Sequence, residues 1–223
     1  MIKAVVFDLD DTLISEHEYI RSGFNVVAHE LSVKYQLLQE DVFLKLMNLF
    51  QESPKNAFNR LLDFYQIDYT IEDIKELIAI YRHHLPNISL YEDAKFILNQ
   101  LSEKSLKLGI ITDGYQVTQR NKLLSLGIDA YFDSIVVTDE LGREFWKPHA
   151  RPYELIKAQL GVEFNEMIYI GDNVSKDFVT AKKLGINTIH IKRDEGVYID
   201  LKYDEDYQAD YQINSLEQVI DFI

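Results

Sequence analysis

Three aspartates, Asp8, Asp10 and Asp11, follow directly on the apolar run Ala4 to Phe7. Two more, Asp172 and Asp177, sit in GDNVSKD, just after the apolar run MIYI. A hydroxyl, Thr112, closes a third run, GIIT, and Asp113 and Gly114 follow it. Lys147 precedes Pro148 in WKPHARP. Carboxylates gathered at one place repel one another and raise each other's pKa values. A hard cation among them removes that repulsion. Mg²⁺ takes oxygen ligands, keeps several waters and commonly bridges carboxylates to phosphate. The Thr112 hydroxyl, the backbone N–H groups near Gly114 and the Lys147 ammonium suit phosphate oxygens. An aspartate can also attack phosphorus as a covalent nucleophile. The residue types point to metal-assisted phosphoryl chemistry.

The elements that must position these residues alternate. From Leu90 onwards the pattern predicts helix DAKFILNQLSEKS, strand LKLGIITDG, helix QVTQRNKLLSLGI, strand FDSIVVTDE, helix RPYELIKAQLG, strand EMIYIGDN, helix SKDFVTAKKLG and strand INTIHIKR. A short strand and a closing helix finish the chain in ADYQINSLEQVIDFI. Alternation of this kind implies a doubly wound parallel sheet, an α/β fold with right-handed crossovers. Ligands of such sheets bind beyond the carboxyl ends of the strands, which is where the aspartates, Thr112 and Gly114 fall.

Residues from His17 to His84 break the alternation and read as helix after helix. DVFLKLMNLF spaces Val42, Phe43, Leu46, Met47 and Phe50 at helical intervals. SPKNAFNRLLDFY predicts a helix with Ser53 as N-cap and Pro54 in its first turn. TIEDIKELIAIY carries a capping-box pattern in Thr70 and Asp73. The expected organisation is a core of residues 1–14 and 89–223 with a helical insertion over 15–88. His17, Arg21, Asn56, Arg60, Arg82, His83 and His84 lie in or beside the insertion and are most simply solvated helix faces. His83 and His84 form no metal pair, since adjacent helical positions point apart.

The 223 residues are 47% hydrophobic, enough for a core, and include no cysteine, which excludes disulfides and thiol chemistry. A formal net charge of −14 disfavours nucleic acid and anionic lipid as partners. No stretch has the apolar length of a membrane span, and the first residues lack a secretory pattern, so a cytoplasmic location is expected.

The four segments, in this order, resemble the haloacid dehalogenase (HAD) superfamily of phosphotransferases, in its C1-capped subgroup of phosphoglycolate phosphatase-like and 5′-nucleotidase-like enzymes. The D-x-D-x-T motif is matched by Asp8-Leu9-Asp10-Asp11-Thr12, the strand-end Thr or Ser by Thr112, the Lys by Lys147 and G-D-x-x-x-x-D by Asp172 and Asp177. The resemblance implies that Asp8 forms an aspartyl-phosphate and that Asp10 first protonates the leaving oxygen and then activates water. It implies Mg²⁺ held by the Asp8 carboxylate, the Asp10 backbone carbonyl and Asp172, with Asp177 reaching it indirectly. Thr112, Asp113, Gly114 and Lys147 would bind the phosphoryl group. The insertion would be the cap that closes over the site and reads the substrate. One departure is Asp11, where many members carry glycine.

The function expected is hydrolysis of a small phosphorylated metabolite, such as a nucleotide monophosphate, phosphoglycolate or a sugar phosphate, by a monomer or homodimer. A 2-haloacid dehalogenase shares the fold and nucleophile but has no use for Asp10, Asp172 and Asp177 together. A phosphomutase would release little phosphate. A phospho-signalling receiver or a silent binding module is the alternative outside enzymes.

Overall fold

A computed structural model describes residues 1–197 and 203–223. The chain divides into two compact units, residues 1–17 with 88–223, and residues 18–87.

The larger unit is built on a sheet of β1 (Ala4–Phe7), β2 (Lys107–Thr112), β3 (Ser134–Val137), β4 (Met167–Gly171), β5 (Asn187–Ile191) and β6 (Tyr211–Ile213). Their order is β3-β2-β1-β4-β5-β6, and every pairing is parallel. This is the doubly wound order in which the winding reverses beside the first strand, opening a crevice at the carboxyl ends of β1 and β4. Helices α5 (Glu92–Ser102), α6 (Gln116–Leu126), α7 (Arg151–Leu160) and α8 (Val179–Lys183) connect the strands. β1 is buried along its whole length, as a central strand covered on both faces must be. Its side chains alternate between two cores. Val5 and Phe7 pack with Ile97, Leu101, Ile110 and Ile170. Ala4 and Val6 pack with Ile156, Tyr169 and Phe178.

α6 and α7 end where the sequence predicts, at Gly127 and Gly161 in left-handed backbone. The closing helix Leu216–Phe222 is a 3₁₀ helix. The helix expected to begin in SKDFV starts only at Val179. Asn173 holds the preceding residues in a turn: its carbonyl accepts from the N–H groups of Lys176 (3.1 Å) and Asp177 (3.0 Å), and its side chain accepts from the Ser175 N–H (3.0 Å). Asp177 therefore lies in a turn, not one turn into a helix.

The smaller unit contains most of α1 (Glu16–Tyr35), with α2 (Gln39–Glu52), α3 (Ala57–Phe64) and α4 (Ile71–His83). Its own core gathers Phe24, Val27, Leu31, Val42, Leu46, Leu61 and Leu77. Thr70 and Asp73 form the expected capping box at the start of α4. Ser53 does not cap α3. It is the C-cap of α2, its N–H bonded to the Leu49 carbonyl, and α3 starts only after Asn56. The Arg60 guanidinium binds the carbonyls of Leu49 (2.9 Å) and Ser53 (3.0 Å) and so fixes that helix end. His84 is buried rather than solvated: Nδ1 lies 2.6 Å from the Tyr81 carbonyl and Nε2 lies 3.1 Å from Ser22 Oγ. Among the described residues no helix is long and apolar enough to cross a membrane.

Candidate active site

Parallel pairing sets the register of the site. Phe7 stands opposite Ile110 on one side and Ile170 on the other, and the Asp8 N–H donates to the Ile170 carbonyl at 2.8 Å. Asp8 thus leaves the sheet at the level where β4 ends and Asp172 begins. Carboxylate oxygens of Asp8, Asp172 and Asp177 all lie within 4.8 Å of one another.

Lys147 enters this cluster from the loop before α7, through a cis bond to Pro148. Its ammonium is buried and lies 2.9 Å from Asp8 Oδ1 and 2.7 Å from Asp177 Oδ1. It also donates to the Tyr169 hydroxyl at 2.9 Å. An ammonium has three donors, and these three partners are the near ones, with the Ile111 carbonyl farther off at 3.5 Å. Both oxygens of Asp177 are engaged as well. Oδ1 accepts from Lys147 and from the Tyr169 hydroxyl at 3.2 Å, and Oδ2 accepts from the Asn173 N–H at 2.9 Å. The Tyr153 hydroxyl donates to the Asp177 carbonyl at 2.9 Å. Gly171 is required here, because a Cβ would stand 2.5 Å from Asp177 Oδ2.

The cluster carries more negative charge than Lys147 offsets. Burial raises the Asp8 carboxyl to about 6, with Lys147 opposing and Asp177 adding to the rise. Asp172 is pushed well above the ordinary range, first by burial, then by the charges of Asp177, Asp8 and Asp11. Buried, oxygen-only and mutually repelling, this donor set fits a hard divalent cation such as Mg²⁺. Asp8 and Asp172 would hold it. Asp177, with both oxygens already taken, would orient its surroundings.

The Asp10 carboxylate lies outside that cluster and turns towards α6. Its Oδ1 is 2.6 Å from Lys122 Nζ, and its Oδ2 accepts from Gln119 Nε2 at 2.9 Å. Burial alone would raise the Asp10 carboxyl, but Lys122, then Glu16 and Gln119, bring it below the ordinary range. The same ammonium is 2.8 Å from Glu16 Oε2. Burial, and next the Asp10 charge, lift Glu16 to about 8 against the pull of Lys122. Of the two carboxyls, Glu16 is the one that holds a proton more readily.

Thr112 is buried at the end of β2, and its Oγ1 lies 2.5 Å from Gln119 Nε2. The Asp113 carboxylate accepts from the Thr138 hydroxyl (2.7 Å) and the Lys147 N–H (3.1 Å) and pairs with Lys176 (3.2 Å). It holds the lysine loop in place. Gly114 has φ 135°, open only to glycine, and the Gln119 side chain packs where a Cβ would go. Asp11 also has a left-handed backbone, φ 50°. Aspartate adopts this backbone more readily than most residues, and tertiary bonds fix its side chain: Oδ1 accepts from the Glu16 N–H (2.9 Å) and Oδ2 from the Val197 N–H (2.7 Å). That is the structural reason for Asp11 where glycine is common.

Sequence reading did not single out Gln119, Lys122, Glu16, Lys176, Tyr153 or Tyr169. Gln119 and Lys122 carried the one available signal. Gln119 lies one turn before Leu123 and Lys122 one turn after Gln119, so both fall on the side of the helix that the apolar pattern turns inward, and a polar group on an inward face needs a partner.

An α/β enzyme with an acidic, lysine-bridged cluster at the switch point of its sheet is the class defined by this geometry. The chain belongs to the haloacid dehalogenase-like hydrolase family, whose model matches residues 5–191. It is 31% identical to glyceraldehyde 3-phosphate phosphatase of Methanocaldococcus jannaschii, over 100% of this chain and 97% of the relative. It is 29% identical to pyrophosphatase PpaX of Halalkalibacterium halodurans, again over 100% of this chain and 97% of the relative. Among solved structures it is similar to an HAD phosphatase from Thermococcus onnurineus, with TM-score 0.65, 27% identity, and coverage of 99% of this chain and 97% of that one.

Proposed function

We propose that this hydrolase is a Mg²⁺-dependent phosphomonoesterase of the cytoplasm, acting on a small phosphorylated metabolite through an aspartyl-phosphate on Asp8. The observation that carries the reading is the buried contact of Asp8 Oδ1 with Lys147 Nζ at 2.9 Å, beside Asp172. The lysine keeps a carboxylate ionised near neutral pH that burial would otherwise protonate, and it offers positive charge to the incoming phosphoryl oxygens.

In the first step an Asp8 oxygen forms a bond to phosphorus as the bond to the ester oxygen breaks. Asp10 gives that leaving oxygen a proton, which the Asp10–Glu16 pair supplies. In the second step water attacks the phosphorus of the aspartyl-phosphate. Asp10 accepts the water proton, the bond to Asp8 breaks, and inorganic phosphate leaves. The Thr112 hydroxyl, the backbone near Asp113 and Gly114, and Lys147 hold the phosphoryl oxygens. Asp8, the Asp10 carbonyl and Asp172 would hold Mg²⁺, which would supply charge neutralisation. The helical unit is the specificity cap in this reading.

The relatives' names suggest where to look for substrate. Glyceraldehyde 3-phosphate and pyrophosphate are the first candidates, ahead of phosphoglycolate, sugar phosphates and nucleotide monophosphates. The test is phosphate release from this panel with Mg²⁺ and with chelator, with Asp8→Asn as control. Many turnovers, lost with chelator and in the variant, are expected. A folded, Mg²⁺-loaded protein that releases no phosphate from any of them would sink the reading. Phosphate held on Asp8 without turnover would mark a signalling module instead.

A further inference from the structure

Asp10 has the unusual position of a reacting group whose two oxygens are both held from one neighbouring helix. Gln119 and Lys122 stand three residues apart on α6, on the same face, and both are about 1% exposed. Lys122 reaches Oδ1 at 2.6 Å and Gln119 reaches Oδ2 at 2.9 Å. An amide nitrogen has two N–H groups. Gln119 gives one to Asp10 and the other to Thr112 Oγ1, at 2.5 Å. Its side chain also fills the space left by the missing Cβ of Gly114. One buried glutamine therefore touches three of the residues expected to act on the phosphoryl group and its leaving oxygen. Lys122 ties the same carboxylate to Glu16, in the first turn of α1, at 2.8 Å.

Burying a glutamine amide and an ammonium is costly without partners. A helix that needed only to pack against the sheet would place apolar residues there. Two fixed donors on a carboxylate set its position and rotation, which is what a group must have to deliver a proton to one atom. We propose that Gln119 and Lys122 are positioning residues that hold the Asp10 carboxylate in register with the Thr112 phosphoryl site for proton transfer. The proposal rests on the phosphatase reading above, in which Asp10 moves the proton.

A positioning role has a signature that a packing role lacks: it follows the proton demand of the leaving group. The full chain with Mg²⁺ is assayed by rapid quench on p-nitrophenyl phosphate, whose leaving group departs without a proton, and on glyceraldehyde 3-phosphate, whose alkoxide needs one. Gln119→Leu and Lys122→Met are compared with wild type. Transfer from the alkyl ester should fall about 100-fold more than transfer from the activated ester, whose own loss reads what the freed Thr112 contact costs. Neither substitution should lower alkyl-ester transfer further in an Asp10→Asn background. Equal losses on both esters, a change confined to KM, or a further loss on top of Asp10→Asn would overturn the proposal. Should Lys122→Met fail to fold, Gln119→Leu carries the same test, since it unpairs no buried cation. A wild-type protein inert on both esters is a different failure, and it falls on the phosphatase reading itself.

Discussion

Lys147 Nζ and Asp177 Oδ1 are 2.7 Å apart, and neither side chain reaches solvent. Asp8 shares the same ammonium. Removing the lysine would leave two buried carboxylates facing each other with nothing between them. Lys147→Met should therefore destabilise the metal-free protein by about 3–5 kcal/mol in denaturant unfolding. Adding Asp177→Asn should recover part of that loss, because it removes one of the stranded charges. Losses that simply add would show that the pair is not coupled as drawn.

Asp113 gives a pH test beside the acidic cluster, through the lysine the two share. Burial alone would raise its carboxyl, but the charges of Lys147 and Lys176, with hydrogen bonds from Thr138 and the Lys147 N–H, hold it below the ordinary aspartate value of 3.8. A carboxyl depressed in the folded state stabilises the fold at every pH above its unfolded value. That contribution fades as pH falls below 3.8 and through the lower folded value. Wild type should be more stable than Asp113→Asn at neutral pH, with the gap closing as the solution is acidified past that point. Denaturant midpoints at a series of pH values measure it. A gap that stayed constant into acid would mean that Asp113 acts through shape and not charge.

How far the sequence could be read differs from one part of the chain to another. The doubly wound parallel sheet followed from alternation and crossover rules, though the order of its strands did not, and helix ends at Gly127 and Gly161 followed from the backbone that glycine permits. The box at Thr70 was legible because both partners lie within one turn. Ser53 misled because the same serine that caps a helix start can close the preceding helix, and only the backbone path decides which. The aspartates, Thr112 and Lys147 stood out because each follows a strand or precedes a helix. Their supports did not. Gln119 and Lys122 meet Asp10 across more than a hundred residues of chain. Tyr153 and Tyr169 read as core aromatics until their hydroxyls are seen on Asp177.

Cation binding can be tested without turnover. A ligand that binds only the folded state raises unfolding free energy by about 2.7 kcal/mol when it is at 100 times its Kd. Mg²⁺ should stabilise wild type in this way. Asp172→Asn should lose that gain. In the absence of metal the variant should be at least as stable as wild type, since it removes repulsion by Asp177 and Asp8. Thermal melts with Mg²⁺ and with chelator read both signs. Equal stabilisation of the variant by Mg²⁺ would place the cation elsewhere.

Gly171 offers a test of how tightly the cluster is built. Its backbone does not need glycine for its dihedral angles; it needs the space. A Cβ would stand 2.5 Å from Oδ2 and 2.7 Å from Cγ of Asp177. That carboxylate has nowhere to retreat, being bonded to the Asn173 N–H on one oxygen and to Lys147 and Tyr169 on the other. Either β4 must shift or Asp177 must release Lys147. Gly171→Ala should cost about 1–3 kcal/mol of stability, as overpacking of a close-packed site does. It should also lower kcat, since moving Lys147 moves the charge beside Asp8. Gly161→Ala makes the contrast: nothing lies within 4 Å of its Cβ, so only its left-handed backbone, φ 68°, is penalised. That variant should lose stability while kcat holds. If Gly171→Ala kept full kcat, the Asp177–Lys147 contact would not be setting the position of the lysine beside Asp8.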